Sequence, residues 1–422
     1  MNTMPPQDTQ GQHGLLPVEA YTSQAWFDWE QEALFPKTWN FAGLVTDIAE
    51  PGDYVSVQCG IYPIFIVRGQ DHRLRAFHNL CRHRGTQLLR AKGKSQKQIV
   101  CPYHNWTYSL NGQLETIPEE DSQYAHVEID KSAFCLHQAS VETWQNMVFV
   151  HPDPHPKPLM DWLADVPQHM GPHQPEKLKE YDDMRVQYAI NANWKILMEN
   201  FIDGYHLSHL HEDTLNMYDH QKQEWHFTGD HWVFYEPLEE SFRKNVKSQS
   251  PLPIIDHVPE EDIGAYLQIL FPTVGITQTE SIWSTFQFIP IAPDKTLLDI
   301  RTLTMPLPPG SMALMGAYEG IKGMFQRKNR SQTLVDIVES FSVGSWGTWG
   351  EAFDLKDKKQ EDPLTSGDFM AEDIYACEQQ QKAMRSPLYS TAPMSKDESS
   401  VLELHKIITT YLPIEAWKLH QK

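Results

Sequence analysis

Two short Cys–His motifs constrain this chain more than anything else in its sequence. Cys81-Arg82-His83 and Cys101-Pro102-Tyr103-His104 stand seventeen residues apart. Each follows a run that reads as a β-strand, so two loop tips can converge on one centre. Thiolates are soft ligands and imidazoles borderline ones, a mixture suited to an iron–sulfur centre. A four-ligand zinc site also takes two cysteines and two histidines. Zinc modules usually lead with paired cysteines, whereas here each pair is one cysteine followed by one histidine. Cys59, Cys135 and Cys377 have no partner ligands nearby and read as small buried hydrophobes.

The elements that carry these loops are legible from turn chemistry. From about Val45 to Val150 the sequence reads as short strands. Tyr62–Arg68 and His72–His78 flank Gly69-Gln70-Asp71, a hairpin signal. Thr107–Leu110 and Gln113–Ile117 flank Asn111-Gly112, which readily supplies positive φ angles. The proline-rich stretch from His151 to Pro158 then breaks all periodicity. A chain of 422 residues is long for one core, so two domains are expected. The expected division is an N-terminal extension over 1–40, an all-β domain over 41–155 and a second domain over 156–422.

In the second domain Trp194, Leu197, Met198, Phe201 and Tyr205 recur at helical spacing, which predicts an amphipathic helix from Asn193 to about His206. Strands are expected within Tyr266–Met305, including Ser284–Ile291 and Leu297–Leu303 around a Pro293-Asp294-Lys295 turn. Helices are expected at Phe369–Ala383 and Ser399–Tyr411, and a surface loop at Lys356–Asp368. The predicted helix places Glu199, Asp203 and His206 on one face, at spacings of four and three. An acid beside a ligand histidine suits a role in fixing that ring's tautomer. His206, His209 and His211 compete as ligands, and helix geometry alone pairs His206 with His209. A ferrous site takes two histidines and one carboxylate, and here the carboxylate must come from elsewhere in the chain.

Several classes are excluded or disfavoured. A formal charge of −21, from 35 basic and 56 acidic residues, opposes nucleic acid and anionic membrane surfaces. Residues 1–17 carry no apolar run of the signal-peptide kind, and no stretch approaches the roughly 18 apolar residues of a membrane helix. Five cysteines, an odd and small number, suit reduced thiols and a cytoplasmic setting. No glycine-rich dinucleotide fingerprint follows a strand.

The segment from Cys81 to Leu114, CRHRG…CPYHNWTYSLNGQL, resembles the Rieske domain in the large (alpha) subunits of the ring-hydroxylating oxygenase family. The later motifs fall in that family's order, so the resemblance covers nearly the whole chain. It implies an α+β architecture: an all-β Rieske [2Fe–2S] domain, then a helix-grip (START-like) catalytic domain with an antiparallel sheet. It assigns Cys81 and Cys101 to one iron of the cluster, and His83 and His104 to the other. The family pattern D-x-x-H-x-x-x-x-H selects Asp203, His206 and His211, with the two histidines as ligands of a mononuclear Fe(II). The segment from Asp368 to Gln381 resembles the family's late ED…E…Q motif, which aligns Asp373 with the third ligand; Glu372 and Asp368 are the rivals, and an ordinary charged helix face is the alternative. The resemblance further implies a homotrimer, with or without a small beta subunit, in which Asp203 bridges His206 to a neighbouring subunit's His104. Electrons would come from NAD(P)H through a ferredoxin or flavin reductase partner.

The activity this implies is O₂-dependent hydroxylation of a small organic molecule, with an aromatic ring as the first expectation. Monooxygenation or N-demethylation of a quaternary amine is the alternative. Phe201, Tyr205, Trp283, Phe286, Trp346 and Trp349 could line an arene pocket or cage a cation, although plain core is the expectation for most of them. A zinc-stabilised ligand-binding protein of the same shape, without chemistry, is the competing class.

Overall fold

The computed structural model describes residues 15–94, 96–212, 214–246, 250, 252–307, 362–365 and 368–420. The expected tryptophans 346 and 349, and most of the expected loop at 356–368, lie outside them. The chain forms two compact units. One is Asp28–Leu163; the other joins residues before Asp28 to those from Ala164 onward.

The first unit contains a seven-stranded antiparallel sheet in the order β1-β10-β9-β4-β3-β2-β5, and a three-stranded sheet β6-β7-β8. The larger sheet is formed by β1 (Asn40–Leu44), β2 (Tyr54–Cys59), β3 (Tyr62–Arg68), β4 (Leu74–His78), β5 (Lys92–Gly93), β9 (Gln138–Trp144) and β10 (Met147–His151). The smaller holds β6 (Ile99–Val100), β7 (Thr107–Tyr108) and β8 (Leu114–Thr116). Strand alternation sends Phe65 and Val67 of β3 into one core, with Phe77, Cys81, Cys101, Trp106 and Tyr108. Ile64 and Ile66 enter a second core with Val148 and Val150. Covered on both sides, β3 can be apolar almost throughout.

Both expected hairpins form, with different turn details. Between β3 and β4, Gly69 N donates to Arg73 O and the positive φ falls on His72. Strand β4 accordingly starts at Leu74 rather than His72. In the β7–β8 turn Gly112 takes φ +80°, and a Cβ there would sit 2.4 Å from the Phe77 ring, so glycine answers both demands.

The second unit is a helix held by a seven-stranded antiparallel sheet, order β11-β17-β16-β15-β14-β13-β12. Its strands are β11 (Lys179–Ile190), β12 (Glu224–Thr228), β13 (His231–Pro237), β14 (Gly264–Leu270), β15 (Val274–Gln278), β16 (Ile282–Ala292) and β17 (Lys295–Thr304). Helix α1 (Trp194–Ile202) is buried nearly all round, Lys195 included, as a helix enclosed by protein must be. Phe201 lies over Gly275, whose missing Cβ would sit 3.1 Å from that ring.

The chain's end secures α1. Helix α3 (Phe369–Ala383) and helix α4 (Ser399–Tyr411) occupy the expected ranges. Glu378 of α3 accepts from Asn191 N and Nδ2, at 2.9 and 2.8 Å, and Gln381 accepts from Asn193 N at 2.8 Å. Asn193 in turn caps α1, accepting from Lys195 N. At the other terminus Ser400 Oγ donates to Ile202 O at 2.8 Å, satisfying a carbonyl the helix leaves open. Among the described residues no helix is long and apolar enough to cross a membrane.

Candidate metal centres

In the first unit the two Cys–His loops share one backbone design. Cys81 N donates to Thr86 O and Gly85 N to Cys81 O; likewise Cys101 N donates to Trp106 O and Asn105 N to Cys101 O. The fourth residue after each cysteine has positive φ, +76° at Gly85 and +54° at Asn105. Glycine and asparagine are the residues that tolerate this. Both thiols are buried and free of disulfides, and His83 Nδ1 lies 3.1 Å from His104 Nδ1.

Trp106 stacks on the His83 ring at 4.9 Å and 8°. Tyr108 accepts from Arg82 N at 3.0 Å, which directs its own hydroxyl proton to Cys81 Sγ at 3.4 Å. Burial, then the neighbouring Cys81, pushes the Tyr108 phenol up and keeps it a donor. Burial likewise raises the Cys101 thiol and lowers the His83 imidazole. Two thiols and two ring nitrogens converging from matched loops form a donor set that fits a Rieske cluster, with sulfur for one iron and neutral nitrogen for the other.

In the second unit the expected long helix is shorter. It ends at Ile202, and Asp203 turns extended, at ψ 112°. The Asp203 side chain causes the break: Oδ1 accepts from Tyr205 N at 2.7 Å, a local bond that competes with helix. Gly204 then passes against Gln223, whose Oε1 would lie 2.5 Å from a Cβ. A short helix α2 (Leu207–Leu210) follows, with His206 and His211 as its caps. The five-residue step is thus spanned by a second short helix rather than by one long face.

His206, His211 and Asp373 offer ligand atoms that all lie within 4.8 Å of one another. Asp373 Oδ1 is 3.1 Å from His211 Nε2 and 3.6 Å from His206 Nε2, and Asn200 Nδ2 donates to it at 3.1 Å. Asp203 Oδ2 lies 3.3 Å from His206 Nδ1, a buried nitrogen with no hydrogen bond among the described residues. Burial opposes a charge on His211, but Asp373 and Glu372 outweigh it and raise its pKa. Two imidazoles and one carboxylate facing a cavity are a set that fits Fe(II).

The other candidates take different places. His209 is exposed and edge-on to Tyr205, outside the group. Asp368 caps α3, accepting from Met370 N. Glu199 faces away, accepting from Tyr21 and His405 at 2.6 and 3.0 Å. Glu372, weighed in the sequence only as a rival ligand, instead accepts from His211 Nδ1 at 2.7 Å and Thr214 Oγ1 at 2.9 Å. Asn200, Thr214 and Glu372 meet only through tertiary structure; the adjacency of Glu372 to Asp373 was the one hint available.

The triad borders a cavity of about 130 Å³ between α1, α3 and the sheet. Of the candidate aromatics Phe201 and Phe286 line it, together with Trp232, Phe234 and Phe288. Tyr205 is exposed, and Trp283 is fully buried away from the lining.

Residues 38–142 match the family Rieske [2Fe-2S] domain, and residues 175–414 match Ring hydroxylating alpha subunit (catalytic domain). The second match alone covers more than half of the chain. This chain belongs to the ring-hydroxylating alpha-subunit family. Among curated members it is 35% identical over 208 residues to the glycine betaine monooxygenase oxygenase subunit of Chromohalobacter salexigens, covering 49% of this chain and 45% of that one. It is 31% identical over 236 residues to the carnitine monooxygenase oxygenase subunit of Escherichia coli, covering 54% and 61%. The chain thus spans about half the length of the curated relatives it matches. Naphthalene 1,2-dioxygenase large component of Pseudomonas putida is 33% identical over 196 residues, covering 45% and 42%. The fold is that of the quaternary ammonium Rieske monooxygenase CntA, at TM-score 0.66, 22% identity and 94% of both chains. Naphthalene 1,2-dioxygenase with indole bound gives TM-score 0.63 at 18% identity, over 93% and 91%.

Proposed function

We propose that this chain is a terminal oxygenase that monooxygenates a small quaternary ammonium compound or a related N-methyl amine. The observation that carries the reading is one polypeptide holding both donor sets, with His206, His211 and Asp373 open to an aromatic cavity. In this reading Cys81, His83, Cys101 and His104 hold the [2Fe–2S] cluster, and His206, His211 and Asp373 hold a mononuclear iron. When bound, the two metal groups supply single-electron transfer and O₂ activation. Overall, one oxygen atom enters a C–H bond, while two electrons and two protons reduce the other to water.

The chain's own residues position these groups. Glu372 accepts from His211 Nδ1 and so presents Nε2 to the metal. Asn200 holds the Asp373 carboxylate. Asp203, beside His206, is the proposed bridge to the partner subunit's His104 in a ring of three. The electrons come from NAD(P)H through a reductase, with or without a ferredoxin.

Two observations support an amine over the arene expected first. The betaine and carnitine enzymes match over longer stretches than naphthalene dioxygenase. The cavity lining is aromatic and, among the described residues, contains no lysine or arginine, a setting suited to an organic cation. The family match also displaces the zinc-stabilised, non-catalytic reading.

Metal analysis should return about three irons per chain, two from the cluster and one mononuclear. Oxygen uptake with a generic reductase should be stimulated by choline, glycine betaine or carnitine more than by naphthalene. Stoichiometric zinc without iron would overturn the oxygenase reading, and a preference for naphthalene the substrate class.

A further inference from the structure

Strand β13 carries an anomaly on its inward face. Alternation places Trp232, Phe234 and Glu236 on one side of the strand, and all three line the cavity that His206, His211 and Asp373 border. Two positions are aromatic, as a grip around an apolar helix requires. The third is a glutamate only 4% exposed. Its register partner Ala265 is small and also lines the cavity, as does Thr279, so the carboxylate has room beside it.

Burying a carboxylate is costly unless it is paired. Glu236 has one hydrogen bond among the described residues, from His220 Nδ1 to Oε2 at 2.9 Å. That contact fixes the side-chain rotamer and leaves Oε1 for something else. His220 does not line the cavity; it braces Glu236 from behind. Tyr218, which does line it, has a phenol pushed well up by burial, then by Glu280 and Glu236, so it presents a neutral aromatic ring beside the acid.

We propose that Glu236, braced by His220 and flanked by Tyr218, Trp232 and Phe234, is the seat for the positive charge of the substrate. The ligand class is a small organic onium ion: its charge faces Oε1 and its N-methyl groups lie against the rings. Aromatic faces attract such cations, and a buried carboxylate adds direct charge complementarity that an arene pocket has no use for. Glu236 and the triad line the same cavity, so a cation seated on the carboxylate is held in the space that the triad borders. This assignment rests on the amine reading above, and makes Glu236 a specificity-determining residue.

The test compares choline with its uncharged carbon isostere, 3,3-dimethylbutan-1-ol, by calorimetric titration of the iron-loaded protein. Wild type should bind choline about 10- to 100-fold more tightly than the isostere, the range expected of a desolvated charge contact. Glu236→Gln keeps the shape and the acceptor for His220, so it should fold with an unchanged cluster spectrum. It should bring choline affinity most of the way down to that of the isostere, the rings keeping a small preference, while leaving the isostere unaffected. His220→Ala, which removes the brace only, should lower the preference by a smaller factor. A wild-type preference for choline that survives intact in Glu236→Gln overturns the seat and leaves the amine reading standing. A wild type without that preference, or one that binds neither compound, overturns both. A purely structural glutamate–histidine pair would weaken the two ligands equally.

Discussion

Glu372→Gln isolates what a neighbouring acid does for His211, a proposed iron ligand. The wild-type carboxylate is 3% exposed and accepts two hydrogen bonds, 2.7 Å from His211 Nδ1 and 2.9 Å from Thr214 Oγ1. Glutamine has the same shape and keeps one carbonyl to accept from the ring. Both bonds fall on Oε2, so a glutamine carbonyl in that position still accepts from the ring and from Thr214. What disappears is the charge. Charge-assisted bonds are roughly twice as strong as neutral ones, and are worth about 1.5–3 kcal/mol. The expected loss is therefore about 1–1.5 kcal/mol, close to tenfold in affinity at the mononuclear site. Glu372→Ala removes both bonds and should approach a loss of about 100-fold, the upper range for such supporting groups. The assay depletes the mononuclear iron, then titrates Fe(II) back against a chromogenic chelator, with the cluster absorption as an internal control. Wild-type affinity in Glu372→Gln, or a loss no larger in Glu372→Ala than in Glu372→Gln, would show that the His211 contact does not set ligand strength.

Three further outcomes are expected. His206→Ala should lose the mononuclear iron while keeping the cluster spectrum, and His209→Ala should lose neither; iron loss in His209→Ala but not in His211→Ala would reverse the assignment. Asp203→Asn should keep its cluster yet slow cluster reoxidation by more than about 100-fold in a single turnover with substrate and O₂, and wild-type reoxidation would remove Asp203 from the electron path. His173 is a stability probe: burial, reinforced by His257, lowers its pKa from 6.5 to about 4, so the fold holds it neutral. Above about pH 6.5 both states are neutral and its contribution is intact. As pH falls toward 4 the unfolded chain gains a proton that the folded one refuses, costing up to about 3 kcal/mol. His173→Gln, which can still donate to Thr279 O, should flatten that part of the acid-unfolding curve followed by circular dichroism; an unchanged curve would refute the attribution.

What could be read from the sequence was whatever local chemistry decides. Strand β3 and helices α3 and α4 keep their expected ranges because period, caps and flanking turn residues all lie within a few positions of each end. The break at Ile202 was hidden because a helical pattern continues to Tyr205. It is overruled by one side-chain bond from Asp203 and by Gln223 packing on Gly204. The same blindness applies to Glu372, since only folding brings it to a histidine 161 positions earlier. Conversely, His72 shows that a turn signal can be right while the residue bearing the positive φ is another. The cysteine–histidine loops were the most legible feature, because two short, matched backbone turns supply the whole donor set.

Helix α3 brings Asp373 to the centre and, through Glu378 and Gln381, ties down the start of α1. This makes the order of synthesis matter. All four cluster donors emerge from the ribosome within a few dozen residues of one another, inside a unit complete by Leu163. The histidine pair must wait for a carboxylate made more than 150 residues later, and the start of the helix that precedes those histidines lacks its bonds to Glu378 and Gln381 until the same segment arrives. With the proposed ligands, the cluster set is complete early in the chain, and the mononuclear set is complete only when α3 has been made. A chain stopped before α3 would lack Asp373 and so the proposed carboxylate ligand of the second iron.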